Sequence, residues 1–167
     1  HALLGELARH LALATELPLD ATTVWITDVN ADALAVARAN LAGIGRPARN
    51  VRVGEGSWCA ALPSGQRFDV IVANPPYVAD DAPELDDSVR DWEPGVALFA
   101  GPDGLRDLRV LVARAPAHLC TGGRLVLEIG ADQGRAVEAL LTDAGYVDVE
   151  IRPDLAGHDR VAIGRVA

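Results

Sequence analysis

The chain has 167 residues, half of them hydrophobic and 23% charged, with a formal net charge of −9 and no lysine among its 15 basic residues. That length suits one domain, residues 1–167, with a real hydrophobic core. The acidic balance argues against broad binding to nucleic acid, which needs a basic face, and is compatible with a cationic small ligand or a positively charged protein partner.

Leu3, Leu7, Leu11 and Ala14 recur at near-helical spacing and predict a helix from His1 to Leu17, stopped by Pro18. Val24 to Thr27 predicts a short buried strand that ends in Asp28-Val29-Asn30. Asn30 suits the N-cap of a helix from Ala31 to Ala42, whose end Gly43 and Gly45 mark. A second short strand, Val51 to Val53, leads into Gly54-Glu55-Gly56-Ser57-Trp58. Phe68 to Ala73 is apolar and β-branched, the pattern of a strand buried on both faces.

Asp80 to Gly104 reads as a long acidic loop, and connections of that length in a compact domain are usually functional. Leu105 to Leu119 predicts a helix that Pro116 kinks or ends early. Thr121-Gly122-Gly123 turns the chain into a strand from Arg124 to Ile129. Asp132 can cap a helix from Gln133 to Ala144, with Gly145 as its stop. Val147, Val149 and Ile151 alternate with Asp148 and Glu150 as in a half-exposed strand, and Leu155 to Arg160 loops back to a final strand, Val161 to Gly164. Strands alternating with helices, closed by two adjacent strands, predict an α/β fold with a mostly parallel sheet and one antiparallel member.

The chemistry hangs on Asn74-Pro75-Pro76-Tyr77, at the carboxyl end of the Phe68 strand. Two prolines remove two N–H groups and fix two φ angles, and Asn74, preceding a proline, is pushed into an extended shape. A rigid polar loop at a strand's carboxyl end stands where open α/β sheets bind ligands. A planar amide entering it would find acceptors for both its N–H bonds in the Asn74 side-chain oxygen and the Pro75 carbonyl, with Tyr77 as a flat face. Asn-Pro-Pro is also what a plain strand-ending turn looks like, and taken alone the two readings stand level.

Cys59 and Cys120 lie far apart, and His1, His10, His118 and His158 are scattered, so no metal site is expected. The thiols read as reduced residues of a cytoplasmic protein, and Cys59 beside Trp58 as packing. No apolar run approaches a membrane span and no secretory pattern opens the chain. Methionine is absent and the first residue is His1, from which an upstream part is expected to be missing.

Taken in order, Asp28, Trp58, Asn74-Pro75-Pro76-Tyr77, Val89 to Pro94, Ala97 to Leu105, Leu127 to Gln133 and Asp154 to Arg160 resemble the catalytic domain of the HemK-type peptide-chain-release-factor glutamine N5-methyltransferases. The likeness runs through nearly the whole chain. Asn-Pro-Pro-Tyr is shared with other amide and amine methyltransferases; the Glu-Pro and Asp-Leu-Ala-Gly segments are more specific. The resemblance implies the class I S-adenosylmethionine-dependent, Rossmann-like sheet. It implies as substrate the glutamine of a Gly-Gly-Gln loop in a release factor, with no membrane or direct nucleic-acid partner. Asp28 matches the acid that binds the cofactor ribose, Trp58 an aromatic beside the adenine, and Asn74 to Tyr77 the substrate-amide clamp, with Asn74 also beside the cofactor. Asp28 could instead be a turn-opening acid, and Trp58 a core tryptophan. Glu93 and Glu128 match family positions that read as structural supports.

The sequence departs from the family where Gly5-Glu6-Leu7-Ala8-Arg9 stands near the expected glycine-rich loop without matching it. The strand before that loop is the family's central one, so the Val24 and Phe68 strands are expected to lack a neighbour. Ser57 replaces the acid expected before Trp58, and the family's N-terminal helical domain is not found in these residues. These departures keep open a fragment or degenerate paralogue without cofactor binding. A ribosomal-protein glutamine or DNA adenine N-methyltransferase would also use Asn-Pro-Pro-Tyr.

Overall fold

The computed structural model describes residues 22–80 and 100–167. The helix expected over residues 1–17, most of the acidic loop, and Glu93 lie outside the described residues. The chain divides into two compact units at Gln66/Arg67.

In the first unit, β1 (Val24–Asp28) and β2 (Val51–Glu55) pair in parallel, from Val24 opposite Val51 to Asp28 opposite Glu55. Between them runs helix α1 (Ala31–Ile44), two residues longer than the alanine-rich stretch predicted. Asn30 caps it as expected: its side-chain oxygen accepts the N–H groups of Asp32 at 2.9 Å and Ala33 at 3.3 Å. These are two of the donors that a helix start otherwise leaves without partners. Leu34 and Ala37, one turn apart, are the buried face that α1 lays on the two strands. The helix stops at Gly45, whose φ of 70° suits glycine alone.

The second unit holds β3 (Phe68–Ala73), helix α2 (Arg106–Arg114), β4 (Leu119–Glu128), helix α3 (Gly134–Asp143), β5 (Val147–Pro153) and β6 (Asp159–Arg165). The strand order is β3-β4-β6-β5. β3 and β4 run parallel, and β6 is antiparallel to both β4 and β5, the single reversed strand that the sequence predicted. Its core is Leu108 and Leu111 of α2, Leu125 and Leu127 of β4, Val137 and Leu141 of α3, and Ala162 of β6, all essentially without solvent exposure. The helical members fall at i, i+3 or i, i+4, so that each helix turns one apolar stripe inward.

Two expectations need correction, that of β3 and that of Asp132. β3 is not buried on both faces: Val70 and Val72, which share a face, are each 49% exposed. A β-branched run reports that a strand can be buried, not that a neighbour covers it. Among the described residues β1 and β3 belong to different sheets. Helix α2 ends early, as expected, at Arg114 and passes through a 3-10 turn, Ala115–His118, because Pro116 has no N–H to continue the ladder. Asp132 does not cap α3; Gln133 holds the cap position, and its side chain is engaged elsewhere.

Candidate active site

Asp28 is the last residue of β1, half-buried, with its Oδ1 accepting the Asn30 N–H at 2.8 Å. Its backbone oxygen accepts the Gly56 N–H at 3.0 Å, which ties the end of β1 to the loop leaving β2. That loop turns back at once. A Cβ on Gly54 would stand 2.6 Å from the Ala61 carbonyl oxygen, so only glycine lets the 3-10 turn Trp58–Ala61 fold over the strand. Trp58 opens this turn with φ at 49°, a left-handed conformation that a bulky residue adopts only when its surroundings enforce it. Its side chain is half-buried, Cys59 beside it is buried and in no disulfide, and Ser57 makes no side-chain cap to the turn. The first unit therefore brings Asp28 and the Trp58 loop to one end of its parallel strand pair.

In the second unit, Asn74 to Tyr77 leave β3 without regular structure, as two prolines dictate. The Pro75 side chain is fully buried, while Asn74, Pro76 and Tyr77 are half-buried. The loop is thus anchored by one proline and keeps its polar members within reach of solvent. Ala73 pairs with Leu127, so Asn74 and Glu128 each stand one residue further along two adjacent parallel strands. Glu128 is only 9% exposed.

Beyond the loop, the chain is stitched to the segment before α2. The Val78 carbonyl accepts the Ala100 N–H at 2.9 Å, the Gly101 carbonyl accepts the Asp80 N–H at 3.0 Å, and Asp80 Oδ1 accepts the Gly101 N–H at 3.1 Å. Asp103 then closes a tight turn: it takes the Leu105 N–H at 3.1 Å and a two-pronged ion pair from Arg109 at 3.0 and 2.6 Å. The Arg109 guanidinium first, and the Leu105 N–H second, hold the Asp103 carboxyl at about 2, below its ordinary 3.8.

The hairpin joining β5 to β6 is closed by Asp154. Its Oδ1 accepts the N–H groups of Ala156 at 2.9 Å and His158 at 3.0 Å, and its Oδ2 lies 3.6 Å from Arg160. These N–H groups, that of His158 foremost, pull its pKa down.

Sequence reasoning gave no site role to Gln133 or to Gly104, although both stand in segments that carry the family resemblance. Both lie against the Tyr77 carbonyl. A glutamine set between Gly130 and Gly134 at a strand-to-helix junction was the available signal.

A family model described as the methyltransferase small domain matches residues 5–89. The chain is 48% identical over 161 residues to the release factor glutamine methyltransferase of Xylella fastidiosa (strain Temecula1), covering 96% of this chain and 57% of that protein. It is also 48% identical over 142 residues to the release factor glutamine methyltransferase of Cereibacter sphaeroides, covering 84% of this chain and 50% of that protein. The chain thus spans about half the length of the curated relatives it matches. Among solved structures, a methyltransferase from Pyrococcus furiosus superposes with a TM-score of 0.64 at 21% identity, covering 93% of this chain and 68% of that one.

Proposed function

We propose that this chain, which belongs to the methyltransferase small domain family and has the class I methyltransferase fold, is catalytic-domain sequence of a cytoplasmic release-factor glutamine N5-methyltransferase that uses S-adenosylmethionine. In this proposal residues 1–167 belong to one catalytic domain, and the substrate is the glutamine of a Gly-Gly-Gln loop. The observation that carries it is the Asn74-Pro75-Pro76-Tyr77 loop, rigid, half-buried and set at the carboxyl end of a strand, in a chain so similar to proteins of that name. Among the described residues no helix is long and apolar enough to cross a membrane.

The residues present fit the cofactor. Asp28 offers a part-exposed carboxylate, fixed by the Asn30 N–H, that suits a ribose diol. Trp58 offers an aromatic surface held in place by an enforced backbone, which suits an adenine face. S-adenosylmethionine, when bound, supplies an electrophilic sulfonium methyl. The work of this chain is to present the nucleophile. An amide nitrogen is a weak one, because its lone pair is delocalised into the carbonyl. Asn74 Oδ1 and the Pro75 carbonyl accept its two N–H bonds and orient the lone pair. The same acceptors stabilise the positive charge that grows on nitrogen during transfer. Holding the amide in place and excluding water contribute several kcal/mol more. The methylated amide then loses its proton readily, so a site of Asn, Pro and Tyr needs no strong base.

The test is mass spectrometry of a release factor after incubation with the natural full-length protein and S-adenosylmethionine. One methyl on the Gly-Gly-Gln glutamine is expected. Asn74→Ala is expected to slow transfer by about 10²–10³-fold, by analogy with loss of one preorganised hydrogen-bond partner. Methylation of a ribosomal-protein glutamine or of DNA adenine instead, or of nothing, overturns the assignment.

A further inference from the structure

We propose that Gln133 is a positioning residue for the reaction: its side-chain amide fixes the exit of the Asn74–Tyr77 loop against the end of β4. This rests on the reading of that loop as the amide clamp. Gln133 is 8% exposed, and its amide has three hydrogen bonds to backbone. Nε2 donates to the Tyr77 carbonyl at 2.9 Å and to the Gly104 carbonyl at 3.3 Å, and Oε1 accepts the Gly130 N–H at 3.0 Å. Both hydrogens and the oxygen are therefore used, and the two carbonyls on one side and the N–H on the other admit one orientation of the amide.

The three backbone groups come from separate parts of the chain: the end of the loop, the segment before α2, and the turn between β4 and α3. Gly104 lets them meet. Its φ is +67°, and a Cβ there would run into the Tyr77 carbonyl oxygen and lie 2.7 Å from Gln133 Nε2. The Tyr77 carbonyl is three residues from Asn74, across two prolines whose φ angles are fixed, so a displacement at Tyr77 is transmitted back to Asn74 rather than absorbed. No other side chain of similar size does the same work. Glutamate would set a carboxylate against two carbonyls, and leucine would remove all three hydrogen bonds, two of them to buried glycines.

The experiment compares Gln133→Leu with Val137→Ala in the natural full-length protein. Val137 is wholly buried on the helix that Gln133 caps, and its apolar side chain can make no hydrogen bond to the loop, so it serves as the control for a loss of stability alone. At equal loss of thermal midpoint, Gln133→Leu is expected to lower kcat by at least about tenfold with KM for the release factor little changed, as misplacement of reacting groups does, and Val137→Ala to keep kcat. Equal loss of kcat in both variants, or parental kcat in Gln133→Leu, overturns the proposal. Asn74→Ala run in parallel separates the two ideas: if it retains turnover, the clamp itself is wrong; if it is dead while Gln133→Leu is active, only the positioning role is. Gln133→Glu, which keeps the acceptor for Gly130 and loses both donors, repeats the comparison should Gln133→Leu not fold.

Discussion

The hydroxyl of Tyr146 donates to the carbonyl of Val112 at 3.0 Å, supplying the hydrogen bond that Pro116 cannot give. In a continuous helix the Val112 carbonyl would accept the N–H four residues on, and at that position the chain has a proline. Tyr146 is 5% exposed, so the bond forms where water is excluded. Tyr146→Phe should therefore leave a buried carbonyl without its donor and destabilise the second unit by about 1–3 kcal/mol. Urea denaturation checks this, and an unchanged midpoint would mean that the carbonyl finds another donor.

The Pro116 break was legible in the sequence because it is a property of one residue. Its remedy was not, because Tyr146 lies 34 residues away from Val112. The same division runs through the fold and the site. Asn30 as a cap, Gly45 as a stop, the reversed β6 and the stiff Asn-Pro-Pro loop all follow from local rules on φ, capping and alternation. Gln133 escaped because two of its three partners stand 56 and 29 residues away, and the glycines beside it mark a junction without saying what the side chain reaches. β3 was misread for a related reason. Periodicity describes the faces of a strand, while the exposure of Val70 and Val72 depends on which other segments lie over them.

Asn30 closes two structures at once, accepting from Asp32 and Ala33 while donating its own N–H to Asp28. Asn30→Ala removes the first pair and keeps the second, since the bond to Asp28 comes from backbone. A loss of about 1 kcal/mol is expected for the cap. Hydrogen exchange should locate it in the first turn of α1, with the amides of Asp32 and Ala33 exchanging faster. Uniform acceleration across the first unit would show that the cap supports more than the helix start.

Asp28→Asn separates charge from shape. Asparagine keeps an Oδ1 that can accept the Asn30 N–H, so β1 and α1 should be undisturbed, and far-ultraviolet circular dichroism should match the parent. A carboxylate accepting hydrogen bonds from a ribose contributes about 1.5–3 kcal/mol. Its loss should weaken S-adenosylmethionine binding by roughly 10- to 100-fold in calorimetric titration of the natural full-length protein. An unaltered dissociation constant would remove Asp28 from the proposed cofactor site and leave it as the residue that opens a turn.

Acid should unfold the second unit in part through Asp103. Arg109 and the Leu105 N–H hold its folded pKa at about 2, against an ordinary 3.8. Between those values the unfolded chain binds a proton that the folded chain refuses. The contribution of Asp103 to stability is then complete above the unfolded value and disappears as pH falls through the folded one. Asp154 shifts in the same direction, through the N–H groups of His158 and Ala156, and adds to the slope. Denaturant midpoints measured from about pH 5 to about pH 2 should fall with acidification, since stability rises with pH wherever the unfolded state holds more protons. Asp103→Asn should flatten that fall by removing one of the contributing groups, leaving the share that belongs to Asp154 and the others. A slope identical to the parent's would show that Asp103 is protonated alike in both states and that its pairing with Arg109 is lost in solution.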